Sequence, residues 1–186
     1  KMDYLCTVYL EEDVSVIAEY VSRFKVASFE ATDCVFLQAH ADFLSKERDL
    51  LVSTGMCTKQ ELNFLVRTCL LPAKIDDATK FLHCTSAYPT PLNQLSLGAI
   101  RASGEGWRIE GYSDHSRPGE TQTGAWAVAA GAQIIEAHIK HVATDDENPD
   151  ARHAMNKKQF GSYVTQIREA ELAIGTGTKQ PQLCEK

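Results

Sequence analysis

The sequence predicts an α/β fold, a parallel sheet with helices on its faces. Short apolar runs rich in Val, Ile, Leu and aromatics recur along the chain. Segments with a 3.6-residue apolar period lie between them. Six β–α units follow one another at a spacing of roughly 20–30 residues, the pattern of strands joined by helical crossovers. Two closures satisfy this pattern, an open doubly wound sheet and a (β/α) barrel. A barrel has eight units and needs about 250 residues, so a chain of 186 residues supplies only part of one.

The strand candidates are residues 4–8, 24–27, 50–52, 80–83, 107–110 and 133–139, each brief, apolar and bounded by polar or small residues. Val14, Ile17, Tyr20 and Val21 make one helical face. Thr58 and Glu61 fit a capping box ahead of a second face formed by Leu62, Leu65, Val66 and Cys69. The Ala/Trp/Val run from Ala125 to Gly131 reads as a buried helix without chemistry. Phe160, Val164, Ile167, Ala170 and Ile174 form the stripe of a final amphipathic helix, with Asn156 and Gln159 at its capping positions and Gly175 as its stop. Residues 1–175 then form one domain. The Gly/Thr-rich stretch 176–186 reads as a linker or frayed end.

Apolar residues make up 44% of the chain and charged residues 24%. That balance excludes a disordered or collagen-like chain and permits a core. The 19 Lys and Arg against 25 Asp and Glu leave a net charge of −6, a poor basis for non-specific nucleic-acid binding. No run approaches the ~18 apolar residues of a membrane span, and residues 1–5 lack the apolar stretch of a signal peptide. Six Cys occur without a C-x-x-C pair and read as free thiols in a reducing cytoplasm.

Sites of parallel α/β folds lie at the carboxyl ends of the strands. Here those ends carry Thr7, then Lys25 with Ser28, then Ser53, then Ser86 and Tyr88, then Ser113 and His115, and finally Glu136 and His138. One such end is ordinary turn chemistry; six in succession point to an anion and metal site. His115 and His138 fall on neighbouring strands, so their imidazoles converge on one divalent ion. Glu136 and His138 stand two residues apart, on one face of a strand, where a carboxylate serves as a base or orients the metal-bound imidazole. Lys25 with several short hydroxyls makes a cradle for phosphate or carboxylate. His40, His83, His141 and His153 read as satisfied structural histidines.

The segments Lys25-Val-Ala-Ser28-Phe-Glu30, Val52-Ser53-Thr-Gly-Met56, Leu82-His-Cys-Thr-Ser86-Ala-Tyr88-Pro-Thr-Pro91, Gly111-Tyr-Ser113-Asp-His115 and Gly131-Ala-Gln-Ile-Ile-Glu136-Ala-His138 resemble the sialic acid synthase family in order and spacing. That family includes N-acetylneuraminate, pseudaminate, legionaminate and spore-coat polysaccharide synthases. The resemblance implies a partial (β/α)8 TIM barrel of about six units. It implies an enzyme that condenses phosphoenolpyruvate with an N-acetylated hexosamine aldehyde, giving a nine-carbon 2-keto acid and phosphate. N-acetylmannosamine is the first choice of acceptor. A pseudaminate or legionaminate precursor, or an inactive sugar-binding homologue, is the alternative. It further implies Mn2+ or Mg2+ on His115 and His138, with Glu136 and Tyr88 also catalytic. Lys25, Ser28, Ser53, Ser86 and Ser113 would hold phosphoenolpyruvate; Tyr88 and Asp150 would contact the sugar, with Thr7 nearby. For full-length members the resemblance implies homodimers.

The chain departs from the family in several places. Two N-terminal β–α units and a C-terminal antifreeze-like domain have no counterpart here, so the chain is expected to be a fragment. Ser86 stands where several members have Asn, Ala137 replaces the usual Lys, and residues 148–155 match only loosely.

Overall fold

The computed structural model describes residues 2–181 and 183–185. Among the described residues the strands are β1 (Leu5–Thr7), β2 (Arg23–Val26), β3 (Leu50–Ser53), β4 (Thr79–His83), β5 (Ser103–Gly104), β6 (Trp107–Asp114) and β7 (Ile134–Ala137). Six of them form one parallel sheet in the order β1-β2-β3-β4-β6-β7. The short β5 adds an antiparallel hairpin to the start of β6. Strand order follows chain order without the reversal of a doubly wound sheet, so the barrel closure is the one adopted, as an open arc. No β1–β7 ladder occurs among the described residues. A cavity of about 470 Å³ lies on that side, lined by Leu5, Lys25, Leu51, Leu82, Ile135 and Ile167 among others.

The helices are α1 (Glu11–Ile17), α2 (Cys34–Gln38), α3 (Lys59–Leu65), α4 (Leu71–Ala73), α5 (Thr123–Ala130) and α6 (Lys157–Ile174). The main core forms between sheet and helices, where Phe24, Val26, Leu50, Val52 and Phe81 meet Leu37, Leu62, Leu65, Val66 and Leu70, all buried. Both expected capping boxes are present. Thr58 Oγ1 accepts from the Glu61 amide at 3.2 Å and Glu61 Oε2 from the Thr58 amide at 2.7 Å. The Asn156–Gln159 pair at the start of α6 closes at 3.0 and 2.9 Å. Helix α6 stops at Gly175, whose φ of 60° favours glycine. Helices α5 and α6 approach closely because residue 124 has no side chain: a Cβ there would lie 2.5 Å from Tyr163 Cζ and 2.8 Å from Ile167 Cδ1.

Several elements differ from the sequence expectation. Strand β6 continues through Gly111–Asp114, and β7 ends at Ala137, leaving His138 just past the strand. Helix α1 ends at Ile17; Tyr20 lies beyond it and is exposed, whereas Val21 is buried at the entry to β2. Helix α5 is not wholly buried, since Trp126 is 44% exposed. The six cysteines are free thiols. Among the described residues no helix is long and apolar enough to cross a membrane.

Candidate active site

Parallel register places the strand ends level with one another. Thr7 pairs with Lys25, and Ser113 with Glu136. Lys25 is 4% exposed, and its ammonium donates to the Val26 carbonyl at 3.0 Å. It also lies 3.7 Å from Glu136 Oε2. Ser53 Oγ donates to that same oxygen at 3.4 Å. Glu136 of β7 therefore reaches across the arc to β2 and β3, three and more strands away. Above this bridge is a cavity of about 400 Å³.

One wall of the cavity is aromatic and imidazole-rich. His115 Nδ1 stands 2.9 Å from the Thr85 carbonyl, which assigns its proton to that nitrogen, and Nε2 lies 3.3 Å from Ser113 Oγ. Burial, and secondarily the neighbouring His138, hold the His115 pKa below its ordinary value, against the opposing pull of the Thr85 carbonyl, Glu136 and Asp114. The His115 and His138 ring centroids are 5.4 Å apart, and those of His138 and His153 only 4.4 Å. Asp150 Oδ2 is 3.6 Å from His138 Nδ1, and Asp150 Oδ1 is 3.5 Å from His153 Nε2. Ligand atoms of His138, Asp150 and His153 all fall within 4.8 Å of one another.

Tyr88 covers this group, its ring 4.3 Å from that of His115 and 4.8 Å from that of His153. Burial, then the nearby Cys84 and Glu136, raise the Tyr88 pKa. Both nitrogens of His153 are buried without a hydrogen-bond partner among the described residues, an arrangement that costs about 1–3 kcal/mol if nothing else binds them. Burial, then His138, push the His153 pKa down to about 4, with Asp150 opposing. The ring is thus neutral, the form that ligates a metal.

Residues 1–179 match the NeuB family. The chain belongs to the NeuB family. It is 32% identical over 186 residues to the N,N'-diacetyllegionaminic acid synthase of Legionella pneumophila, covering 97% of this chain and 50% of that protein. It is 34% identical over 175 residues to the pseudaminic acid synthase of Campylobacter jejuni, covering 91% and 48%. The fold superposes with a TM-score of 0.82, at 27% identity, on the N-acetylneuraminic acid (sialic acid) synthetase of Leptospira borgpetersenii, solved with citrate, over 96% of this chain and 60% of that one. The chain spans about half the length of the relatives it matches.

Within this NeuB arc, Thr7, Lys25, Ser28, Ser53, Tyr88 and Ser113 line the 400 Å³ cavity, as do His115, Glu136, His138 and Asp150. Ser86 is not on its wall. Its hydroxyl is buried beside Gly55. The hydroxyls of Ser86 and Ser28 flank Gly55, whose amide donates to Ser28 Oγ at 3.1 Å; a Cβ at residue 55 would overlap Ser86 Oγ and lie 2.9 Å from Ser28 Oγ.

Two site residues escaped the sequence reading. His153, read there as a structural histidine, lines the cavity instead. Its signal is the Asp-x-x-His spacing from Asp150, which a 3-10 turn over Pro149–Arg152 folds onto one side. Asp114, between Ser113 and His115, is a buried carboxylate that accepts from the Tyr112 hydroxyl at 3.2 Å and the Ser116 amide at 2.9 Å. It also accepts from the Tyr163 hydroxyl at 2.8 Å and from Thr123 Oγ1. It ties the strand end that carries His115 to α5 and α6. The other histidines are structural. His40 packs against Phe24 and Phe36, His83 is held by the Leu95 carbonyl at 2.9 Å, and exposed His141 caps the Ala143 amide at 3.1 Å.

Proposed function

We propose that the protein carrying this chain condenses phosphoenolpyruvate with an N-acetylated hexosamine aldehyde, forming a nine-carbon 2-keto sugar acid and inorganic phosphate. The observation that carries the reading is the meeting of Lys25, Ser53 and Glu136 at the strand ends, directly beside the imidazole cluster. N-acetylmannosamine is the acceptor proposed first. The names of the relatives at 32 and 34% identity favour a diacetylated acceptor of the legionaminate or pseudaminate type as the second reading.

Each residue has a task that its surroundings support. Lys25 and the hydroxyls of Ser28, Ser53 and Ser113 hold the phosphate and carboxylate of phosphoenolpyruvate through charge-assisted hydrogen bonds. The anion takes over an ammonium that Glu136 only partly neutralises at 3.7 Å. Binding both substrates on one rigid rim replaces a bimolecular encounter with fixed geometry. Glu136, released from Lys25, accepts the proton of the water that adds at C2. Tyr88 and Thr7 wall the sugar side.

The imidazoles of His115 and His138, with ring centroids 5.4 Å apart, and the nitrogens of neighbouring His153, without a hydrogen-bond partner among the described residues, fit a divalent cation, for which Mn2+ or Mg2+ is proposed. When bound, such an ion supplies Lewis-acid polarisation of the aldehyde oxygen.

The test is calorimetric titration of phosphoenolpyruvate into wild-type protein and Lys25→Met. Loss of a charge-assisted contact is about 1.5–3 kcal/mol, so affinity should fall at least tenfold. Equal affinity would remove Lys25 from the site and the reading with it.

A further inference from the structure

We infer that Cys84 is a positioning residue of this site: its thiol donates to Ser28 Oγ and leaves the one proton of that hydroxyl to point into the cavity. The inference rests on the reading above and deepens it, taking from it that Ser28 meets the anion.

The bonding capacity of the Ser28 hydroxyl is nearly used up by the protein. A serine Oγ has one proton and two lone pairs. The Gly55 amide donates to Ser28 Oγ at 3.1 Å and fills the first lone pair. Cys84 Sγ stands 3.2 Å from the same oxygen. A thiol is a weak donor and a weak acceptor, so this contact can run in either direction. A hydroxyl that donates to sulfur has no proton left for the anion. When the thiol donates instead, both lone pairs are filled and only the proton remains to be given. An anion in the cavity selects the second arrangement, because Ser28 then offers it a donor and the thiol keeps its partner. Donation into the oxygen also polarises the hydroxyl and strengthens it as a donor.

The surroundings of Cys84 keep the proton on sulfur. The residue is 4% exposed. Burial raises its pKa, against the opposing pull of the Ser28 hydroxyl, the Gly55 amide and Lys25. A neutral thiol can donate, whereas a thiolate would accept and turn the Ser28 proton away from the anion. Cys84 is not among the residues lining the cavity, so it acts through Ser28.

Three strand ends bring the pair together. Ser28 follows β2, Gly55 follows β3 and Cys84 follows β4. The Thr54 amide and Oγ1 both donate to the Leu82 carbonyl, at 2.9 and 3.0 Å, which fixes the end of β3 against that of β4. Residue 55 has no side chain; a Cβ there would lie 2.9 Å from Ser28 Oγ and 3.0 Å from Cys84 Sγ, and would part them. The next carbonyl, that of Thr85, stands 2.9 Å from His115 Nδ1. Residues 84 and 85 thereby set one hydroxyl of the anion cradle and one imbidazole of the facing wall from adjacent positions.

The test combines infrared spectroscopy with calorimetry on the protein carrying this chain. The S–H stretching band that disappears in Cys84→Ala belongs to Cys84. Phosphoenolpyruvate should move that band to the lower frequency of a donating thiol in wild type and leave it in place in Ser28→Ala. In phosphoenolpyruvate titrations Cys84→Ala should weaken affinity about fivefold, the loss of one neutral hydrogen bond. Cys84→Ser, whose hydroxyl still donates, should recover most of it. In a Ser28→Ala background Cys84→Ala should cost nothing further, because the two residues act as one unit; a residue that only fills space would cost as much there as in wild type. A Cys84→Ala protein of wild-type affinity, full additivity with Ser28→Ala, or an S–H band that phosphoenolpyruvate does not move each overturns the inference and leaves the reading above standing. Wild-type protein that binds no phosphoenolpyruvate overturns both.

Discussion

Replacing Tyr163 with Phe removes a single hydroxyl from the carboxylate cage at Asp114 and leaves the packing shape almost intact. The Tyr163 hydroxyl donates to Asp114 Oδ2 at 2.8 Å. Both residues are at least 97% buried, so water does not replace the lost donor. Hydrogen bonds to charged groups contribute about 1.5–3 kcal/mol, and no cavity of methyl size is created to add to that figure. In a domain of this size each kcal/mol moves Tm by about 2–4 °C, so the expected drop is about 3–12 °C. Thermal melting followed by circular dichroism is the assay, with identical far-ultraviolet spectra before melting as the control. Gly124→Ala should act in the same direction from the other side of the contact, by pushing the Tyr163 ring away. A Tyr163→Phe protein melting within about 1 °C of wild type would refute the assignment of Asp114 as the anchor between β6, α5 and α6.

Other consequences are equally direct. Glu136→Gln removes the negative charge facing Lys25, so phosphoenolpyruvate affinity should hold or tighten while turnover falls at least about 100-fold, the scale of a lost proton acceptor; steady-state kinetics beside calorimetry separates the two. Gly55→Ala turns the Ser86 and Ser28 hydroxyls out of place, and should weaken phosphoenolpyruvate binding as well as lower Tm; unaltered affinity in the folded variant would show that Ser28 holds no anion.

Acid should weaken the metal-free fold. His153 titrates near 4 in the folded chain against 6.5 for a free imidazole, so on acidification the unfolded chain takes up the proton first. The stability from its neutral ring is complete above pH 6.5 and is lost as pH falls from about 6.5 to about 4, by at most about 3 kcal/mol. The lowered pKa of His40, caused by burial, acts in the same sense. Urea midpoints measured with EDTA should fall across that window, and the His153→Gln profile should be flatter; superimposable profiles would contradict the cause given.

The sequence made the sheet legible because each strand core is a short apolar run, and the strand ends legible because hydroxyls, a lysine and imidazoles recur there. Residues 111–114 were harder to place. Gly-Tyr-Ser-Asp carries turn chemistry, and it is strand because Asp114 is held by hydrogen bonds from α5 and α6, which lie later in the chain. Tyr20 fits the helical period of α1, yet the chain leaves the helix at Ile17 to bring Val21 under the sheet. His153 was illegible for a related reason. Its inward placement depends on the pairing of Met155 with the residues just after β7, a long-range contact that local spacing does not announce. The Ser86 position shows the converse: its motif is local and clear, yet the side chain is not among those lining the cavity.

If these strand ends bring phosphoenolpyruvate and a sugar aldehyde together, the protein carrying this chain releases phosphate as it condenses them. Phosphoenolpyruvate, Mn2+ and N-acetylated hexosamines are supplied singly and in combination, and the products are weighed by mass spectrometry. Phosphate should appear only when acceptor and phosphoenolpyruvate are both present, in equal amount to a single nine-carbon 2-keto acid, and be lost in Lys25→Met. Phosphate released equally without acceptor, or no condensation with any N-acetylated hexosamine, would contradict it.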